Sequence, residues 1–236
     1  MAGEKLYIIT SPQDVAVVYK NITSLTFDDY IRDMMYQFGG TKDAVQKMWQ
    51  DPGKDGQGPV LLSPNPVHKN LARLGEDLYR QQLHPGTNLE DLQSQFMPNI
   101  HKSLSYGNIP DKAIIFSTEG EKTVSLLEWV RGVLLDSATR SFFGDRLLEI
   151  EPNMFQSFFD FDDNSWKLTY HLPRVFAREM YGAKQQATDA LLKYFQLPEG
   201  ERPGAAWLVR TLEGEMRNLG IQEPDIASFL MMIYWV

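Results

Sequence analysis

The chain has 236 residues, 43% hydrophobic and 23% charged, an ordinary globular composition with room for one or two domains. Its net charge of −8 argues against a general binder of nucleic acid or anionic membrane, so no nucleic-acid partner is expected. The absence of cysteine removes disulfides, thiolate zinc sites, iron–sulfur ligation and cysteine nucleophiles from these residues.

In chain order, MAGEKLYIIT has no basic region followed by a sustained apolar core, and no run of about 18 apolar residues follows. Neither a signal peptide nor a transmembrane segment is expected, and the expected location is cytoplasmic. Lys5 to Thr10 is rich in β-formers and predicts a short strand. Ser11 caps the helix that follows, with Pro12 at its first position and Val15, Val18 and Tyr19 at helical spacing. DDYIRDMMYQFGG predicts a second helix with an acidic start and Gly39 at its exit, and Thr41 caps a third. These elements occupy 5–50, and the Gly- and Pro-rich stretch 51–66 is a loop.

Two helices are expected over 67–104, the first from Val67 to Leu83 and the second from Leu89 to Leu104, with Pro98 bending or interrupting the second. AIIFST reads either as a strand or as the extended lead into a helix. From 125 to 219 the pattern is helical. SLLEWVRGVLLDSATRSFF places Leu126, Trp129, Val130, Val133 and Leu134 on one stripe and ends at Gly144. A short aromatic helix follows at NMFQSFFDF. Pro173 opens a long helix to about Phe195, LPEGERPG breaks it, and Ala205 to Leu219 forms another. A last apolar helix begins at Pro224 and runs through 224–236 with no charge, glycine or cap at its close. The fold class expected over 1–236 is mainly α with a small β element.

No catalytic, cofactor-binding or metal-ligating set emerges from the residues themselves. His68, His84, His101 and His171 follow no metal-binding spacing. Asp160, Asp162 and Asn164 alternate as at the start of a calcium loop. The sixth and twelfth positions, which need Gly and Glu, hold Ser165 and His171, so a solvated acidic turn is the better reading. GKDGQG lacks the order of a phosphate-binding loop. The aromatic run at 154–166 has no interleaved Lys or Arg and reads as core rather than as a stacking platform. Lys69 and Arg73 lie four apart on one expected helical face beside His68, a spacing that suits an anionic group, though exposed basic residues on a solvated helix are the commoner case.

Taken in order, several segments resemble the heme-thiolate monooxygenases of the cytochrome P-450 family, in a fungal branch similar to prostacyclin synthase and the sterol hydroxylases. KLYIITSPQDVAVVYKN is similar to that family's early strand and helix, and LTFDDYIRDMMYQFGG to the segment that follows. LHPGTNLEDL resembles its PG-x-x-L joint between two helices. SLLEWVRGVLLDSATRSFFG resembles the helix that the family ends with an aromatic and Gly. LGIQEPDIASFLMMIYWV is similar to the opening of the central helix that crosses the heme.

The resemblance implies the front half of that fold, cut within the central helix and lacking the family's membrane anchor, which usually holds it at the endoplasmic reticulum. It also implies a family chemistry: one oxygen atom from dioxygen enters a hydrophobic lipid, sterol or secondary-metabolite substrate. Heme is the cofactor, and NADPH supplies electrons through a reductase. The axial cysteine is absent here and the resemblance puts the family's own Glu-x-x-Arg pair in the missing half, so this chain alone is expected to be inactive and not to bind heme by itself. His68, Lys69 and Arg73 fall in roughly the region of the family's propionate-holding basic residues. No Trp-x-x-x-Arg pattern accompanies them, and the role is not carried over. Trp129 and Arg131, two apart, point to different helix faces.

Two other readings stand beside this one: a heme-free lipid-binding or protein-interaction module built on the same fold, and an unrelated helical protein. In the half-fold reading Phe229 to Val236 are expected to be poorly buried, with self-association through the exposed terminal helix.

Overall fold

The computed structural model describes residues 8–21, 24–53 and 58–235. Among them are twelve α-helices and one two-stranded antiparallel sheet, so the molecule is mainly α with a small β element. Of the expected strand at Lys5 to Thr10, the first three residues lie outside the described set, and Ile8, Ile9 and Thr10 take no strand conformation. The central residues of GKDGQG, 54–57, also lie outside it.

The first three helices begin and end on local signals. Ser11 Oγ accepts from the Asp14 amide to cap α1 (Pro12–Lys20), which buries none of its side chains. Asp28 and Asp29 open α2 (Asp28–Phe38), and Gly39 closes it at φ 114°, a conformation that suits a residue without Cβ. Thr41 Oγ1 accepts from Ala44 N to cap α3 (Lys42–Trp49). At Gly40 the need is steric: a Cβ there would lie 2.6 Å from Phe229 Cε1, across the chain.

α4 (Leu71–Leu83) starts four residues later than the apolar pattern predicts, because Asn70 Oδ1 accepts from Arg73 N and sets the boundary. α5 (Thr87–Leu104) runs through Pro98 without interruption. Ser94, whose carbonyl has no amide partner at position 98, is exposed, as is Pro98, so water can satisfy the orphaned oxygen. β1 (Ile114–Ser117) pairs with β2 (Lys122–Val124), in register Ile114 to Val124 and Ser117 to Lys122. AIIFST is therefore a strand.

α6 (Leu126–Phe143) departs from its expected stripe. Of Leu126, Trp129, Val130, Val133 and Leu134, only Val133 is buried; Leu126 is 69% and Leu134 49% exposed. The helix buries its second half instead, through Ser137, Thr139, Ser141 and Phe143. Two of these hydroxyls bond back to the preceding turn, Thr139 Oγ1 to Leu135 O at 2.7 Å and Ser141 Oγ to Ser137 O at 2.6 Å, while that of Ser137 is buried with no partner. Gly144, at φ 68°, lets Pro203 O approach to where a Cβ would lie at 2.2 Å.

After α7 (Arg146–Ile150), α8 (Met154–Asp162) and α9 (Trp166–Thr169), the chain does not enter a single helix at Pro173. A 3-10 turn at Arg174–Phe176 comes first, and Ala177 at φ −133° breaks the path before α10 (Arg178–Gln196). The break lets Ala177 drop into the core while Val175 and Phe176 stay at the surface. α10, with 19 residues, is the longest helix, and α5 matches α6 at 18.

α11 (Trp207–Asn218) and α12 (Glu223–Trp235) complete the fold. The expectation of an exposed terminal helix is wrong. Phe229, Leu230 and Met231 are 1%, 2% and 0% exposed, and Met232 to Trp235 are half-buried. The partners lie within this chain: α12 packs on α10 and α2, with Phe38 and Phe161 against Trp235 and with Phe143 and Phe158 against Tyr234. Its entry is tied down as well. Asp225 accepts from Thr41 N at 2.7 Å and from Thr41 Oγ1 at 3.0 Å, so one carboxylate joins the start of α12 to the cap of α3.

Candidate functional site

The basic group expected to offer itself to an anion is occupied. Lys69 precedes the Asn70 cap, so it does not share a helical face with Arg73. Its Nζ lies 2.5 Å from Asp77 Oδ2, and the Arg73 guanidinium is bound to Asp28, which holds the Arg73 pKa above its ordinary value through that hydrogen bond and charge. His68 stands just before them in a left-handed conformation at φ 52°. The cluster links α4 to α2 rather than opening toward a ligand.

The acidic turn is also used internally. Arg131 on α6 reaches Asp162 at 3.1 Å and Asp163 at 2.8 Å, and Trp235 Nε1 donates to Asp162 Oδ1 at 3.1 Å. Arg131 and Trp129 do face different surroundings: the Trp129 indole N–H is buried with no partner. The four histidines do not converge. His171 is held by Gln37 Nε2 at 2.9 Å and by Asp33 at 3.4 Å. No group of three metal-ligating side chains exists among the described residues.

The chemistry that the linear pattern did not reveal is buried. Lys184 on α10 is almost inaccessible, and its Nζ donates to the carbonyls of Gln37 at 3.1 Å and Phe38 at 2.8 Å, at the carboxyl end of α2. Burial first, and the Arg174 charge second, push its pKa down to about 8. One signal was legible: Lys184 lies on the stripe formed by Met180, Ala187 and Leu191, where a lysine is out of place.

Arg202 forms a second buried centre. Its two terminal nitrogens meet Glu213 at 2.7 and 2.9 Å, and its guanidinium stacks 5.0 Å from the Tyr194 ring centre. Arg217 adds a bond from Nε to Glu213 at 2.9 Å and one from a terminal nitrogen to Phe195 O at 2.7 Å. Burial pushes the Tyr194 phenol up to about 12. A cavity of about 370 Å³ opens beside this network, but Glu213 is shared by two arginines and Glu223 is taken by Arg217. Glu215, two residues after Glu213 and fully buried, accepts the amides of Leu62 and Ser63 at 2.9 and 2.5 Å and pins the chain there.

Along the α6–α12 seam, Tyr234 Oη and Thr139 Oγ1 lie 2.5 Å apart, and burial drives the Tyr234 pKa far upward. Thr139 donates to Leu135 O, so the Tyr234 phenol donates to Thr139 Oγ1, inside an aromatic wall of Phe143 and Phe158.

No protein-family model, curated protein or solved structure matches the chain.

Proposed function

We propose that the chain is a portion of a heme-thiolate monooxygenase fold of the cytochrome P-450 type, supplying helices around a hydrophobic substrate rather than the iron centre. The observation that carries this reading is α12, an apolar helix that runs through the core against α10 and α2, as the central helix does in that family. The order of segments supports it too: a helix closed by Phe142, Phe143 and Gly144, a long α10, a Pro/Gly break, and then α12.

The residues of this chain do not fit a heme-thiolate centre by themselves. There is no cysteine to provide the thiolate, and Lys69 and Arg73 are already paired with Asp77 and Asp28. The oxygen insertion and the NADPH-derived electrons of the family therefore belong to an assembly that includes further residues.

The test is to read the transcript beyond codon 236. An in-frame segment with Glu-x-x-Arg and a Phe-x-x-Gly…Cys-x-Gly stretch is expected. A stop codon followed by no such remnant overturns the proposal.

A second reading, a heme-free lipid-binding or interaction module, is favoured by one observation. Leu126, Leu127, Val130 and Leu134 leave an apolar face uncovered along the first half of α6. On this reading Val130→Asp abolishes binding of a hydrophobic fluorescent probe while the helix content is unchanged. Unaltered probe binding counts against it. Self-association through α12 is not part of either reading, since that helix is covered.

A further inference from the structure

A pocket of about 260 Å³ lies between the end of α5, the turn before β1, the middle of α6 and α8. Its floor is apolar: Phe155 and Phe159 from α8 and Val133 from α6. Its rim is cationic. Lys102 and Lys112 stand there with Arg140, and Asp136 is the single carboxylate in the lining.

That carboxylate is consumed, with Arg140 Nε at 2.8 Å on one oxygen and Ser103 Oγ at 3.2 Å on the other, and Arg140 also binds Asp145. Lys102 and Lys112 are left with no carboxylate partner among the described residues, and Lys112 Nζ rests 4.5 Å from the Phe159 ring centre instead. Gly132 lines this space. It sits in the interior of α6, where glycine costs about 1 kcal/mol relative to alanine, and a Cβ built there would meet nothing within 4 Å.

We propose that this pocket binds a small amphiphilic anion: a carboxylate held between Lys102 and Lys112, with a short apolar body against Val133 and Phe155 in the space beside Gly132. The volume is just below the roughly 300–1,000 Å³ of drug-sized ligand sites, so the body is limited to a short chain or a single ring. The site is independent of the monooxygenase reading, since it requires neither heme nor a thiolate.

The test is calorimetric titration of the full chain with octanoate, octan-1-ol and acetate at low salt. Octanoate is expected to bind more tightly than either of the others, because only it satisfies both the rim and the floor. Added salt is expected to weaken it. In the double variant Lys102→Gln/Lys112→Gln octanoate affinity is expected to fall about tenfold, as for two partly exposed charge contacts, while octan-1-ol is unaffected. A Cβ at Gly132 meets nothing within 4 Å, so Gly132→Leu projects a side chain into the pocket and is expected to abolish binding of both eight-carbon probes with helix content retained. Octanoate affinity unchanged in the lysine double variant, octanoate binding that survives Gly132→Leu, equal affinity for octanoate and octan-1-ol in the native chain, or no octanoate binding at all overturns the proposal.

Discussion

At the scale of single residues, two buried titratable groups give the molecule a pH signature of opposite signs. Lys184 has a folded pKa of about 8 against an ordinary 10.5, so between those values the unfolded chain holds a proton that the folded chain has released. Stability therefore rises with pH from 8 toward 10. Each pKa unit is worth 1.36 kcal/mol, and the carbonyls of Gln37 and Phe38 retain part of the charged form, so the expected gain is about 1–3 kcal/mol. Urea denaturation at pH 8 and pH 10 measures it, and in Lys184→Met the rise is expected to disappear.

Tyr194 works the other way. Its phenol, pushed up to about 12, stays protonated in the folded chain while the unfolded chain ionises near 10. Its contribution is present below pH 10 and is lost as pH climbs toward 12. Tyr194→Phe is expected to flatten that fall. At pH 7 the same variant is expected to lose about 1 kcal/mol, because the Phe143 carbonyl loses the phenol that donates to it at 2.9 Å.

At the scale of the element, α5 and α6 carry opposite lessons. α5 tolerates Pro98 in its interior because the carbonyl it orphans faces water. Tolerance is not neutrality: proline costs up to about 3 kcal/mol in a helix interior. Pro98→Ala restores a donor to Ser94 O and is expected to raise the melting temperature; a fall would mean that the proline's fixed φ is needed. In α6 the apolar stripe from Leu126 to Leu134 continues on the same face through Ser137 and Ser141, yet its first half stays largely exposed while the second half is buried. Thr139 and Ser141 satisfy their hydroxyls on carbonyls of the preceding turn, and Thr139 also meets Tyr234 of α12, whereas the Ser137 hydroxyl is buried with no partner. Hydrophobicity along a helix predicts a face that wants cover, and only the neighbours decide how much of its length receives it.

At the scale of the whole molecule, α12 holds together parts of the chain that are distant in sequence. Asp225 reaches Thr41, Phe229 fills the space above Gly40, and Trp235 closes against Phe38 and Phe161. Phe229, Leu230 and Met231 are fully buried, each worth roughly 1.5–3 kcal/mol, and together they rival the ~5–15 kcal/mol that stabilises a whole domain. Removing Phe229 to Val236 is expected to abolish cooperative thermal unfolding and to reduce the circular-dichroism signal beyond the loss of the deleted residues. A truncated chain that melts cooperatively near the native temperature would show that α12 is an accessory to the core.

The sequence by itself determined the features whose causes lie within a few residues of one another. Ser11, Thr41 and Ser125 each accept the amide three residues on, so their helices begin where the caps stand. Gly39 and Gly144 close helices at positive φ, and the breaks near 51–66 and 197–204 follow from proline and glycine. The mainly α class followed from the same local evidence. Tertiary structure alone decided what depends on a partner far along the chain. The pairing of Lys69 with Asp77 and of Arg73 with Asp28 emptied an apparent anion site. Lys184 became a cap for a helix some 146 residues earlier, and the uncapped apolar end of the chain became core. Capping hydrogen bonds are made within one turn and can be read from spacing. Burial is a relation between surfaces, and until the chain has folded no single segment contains both of them.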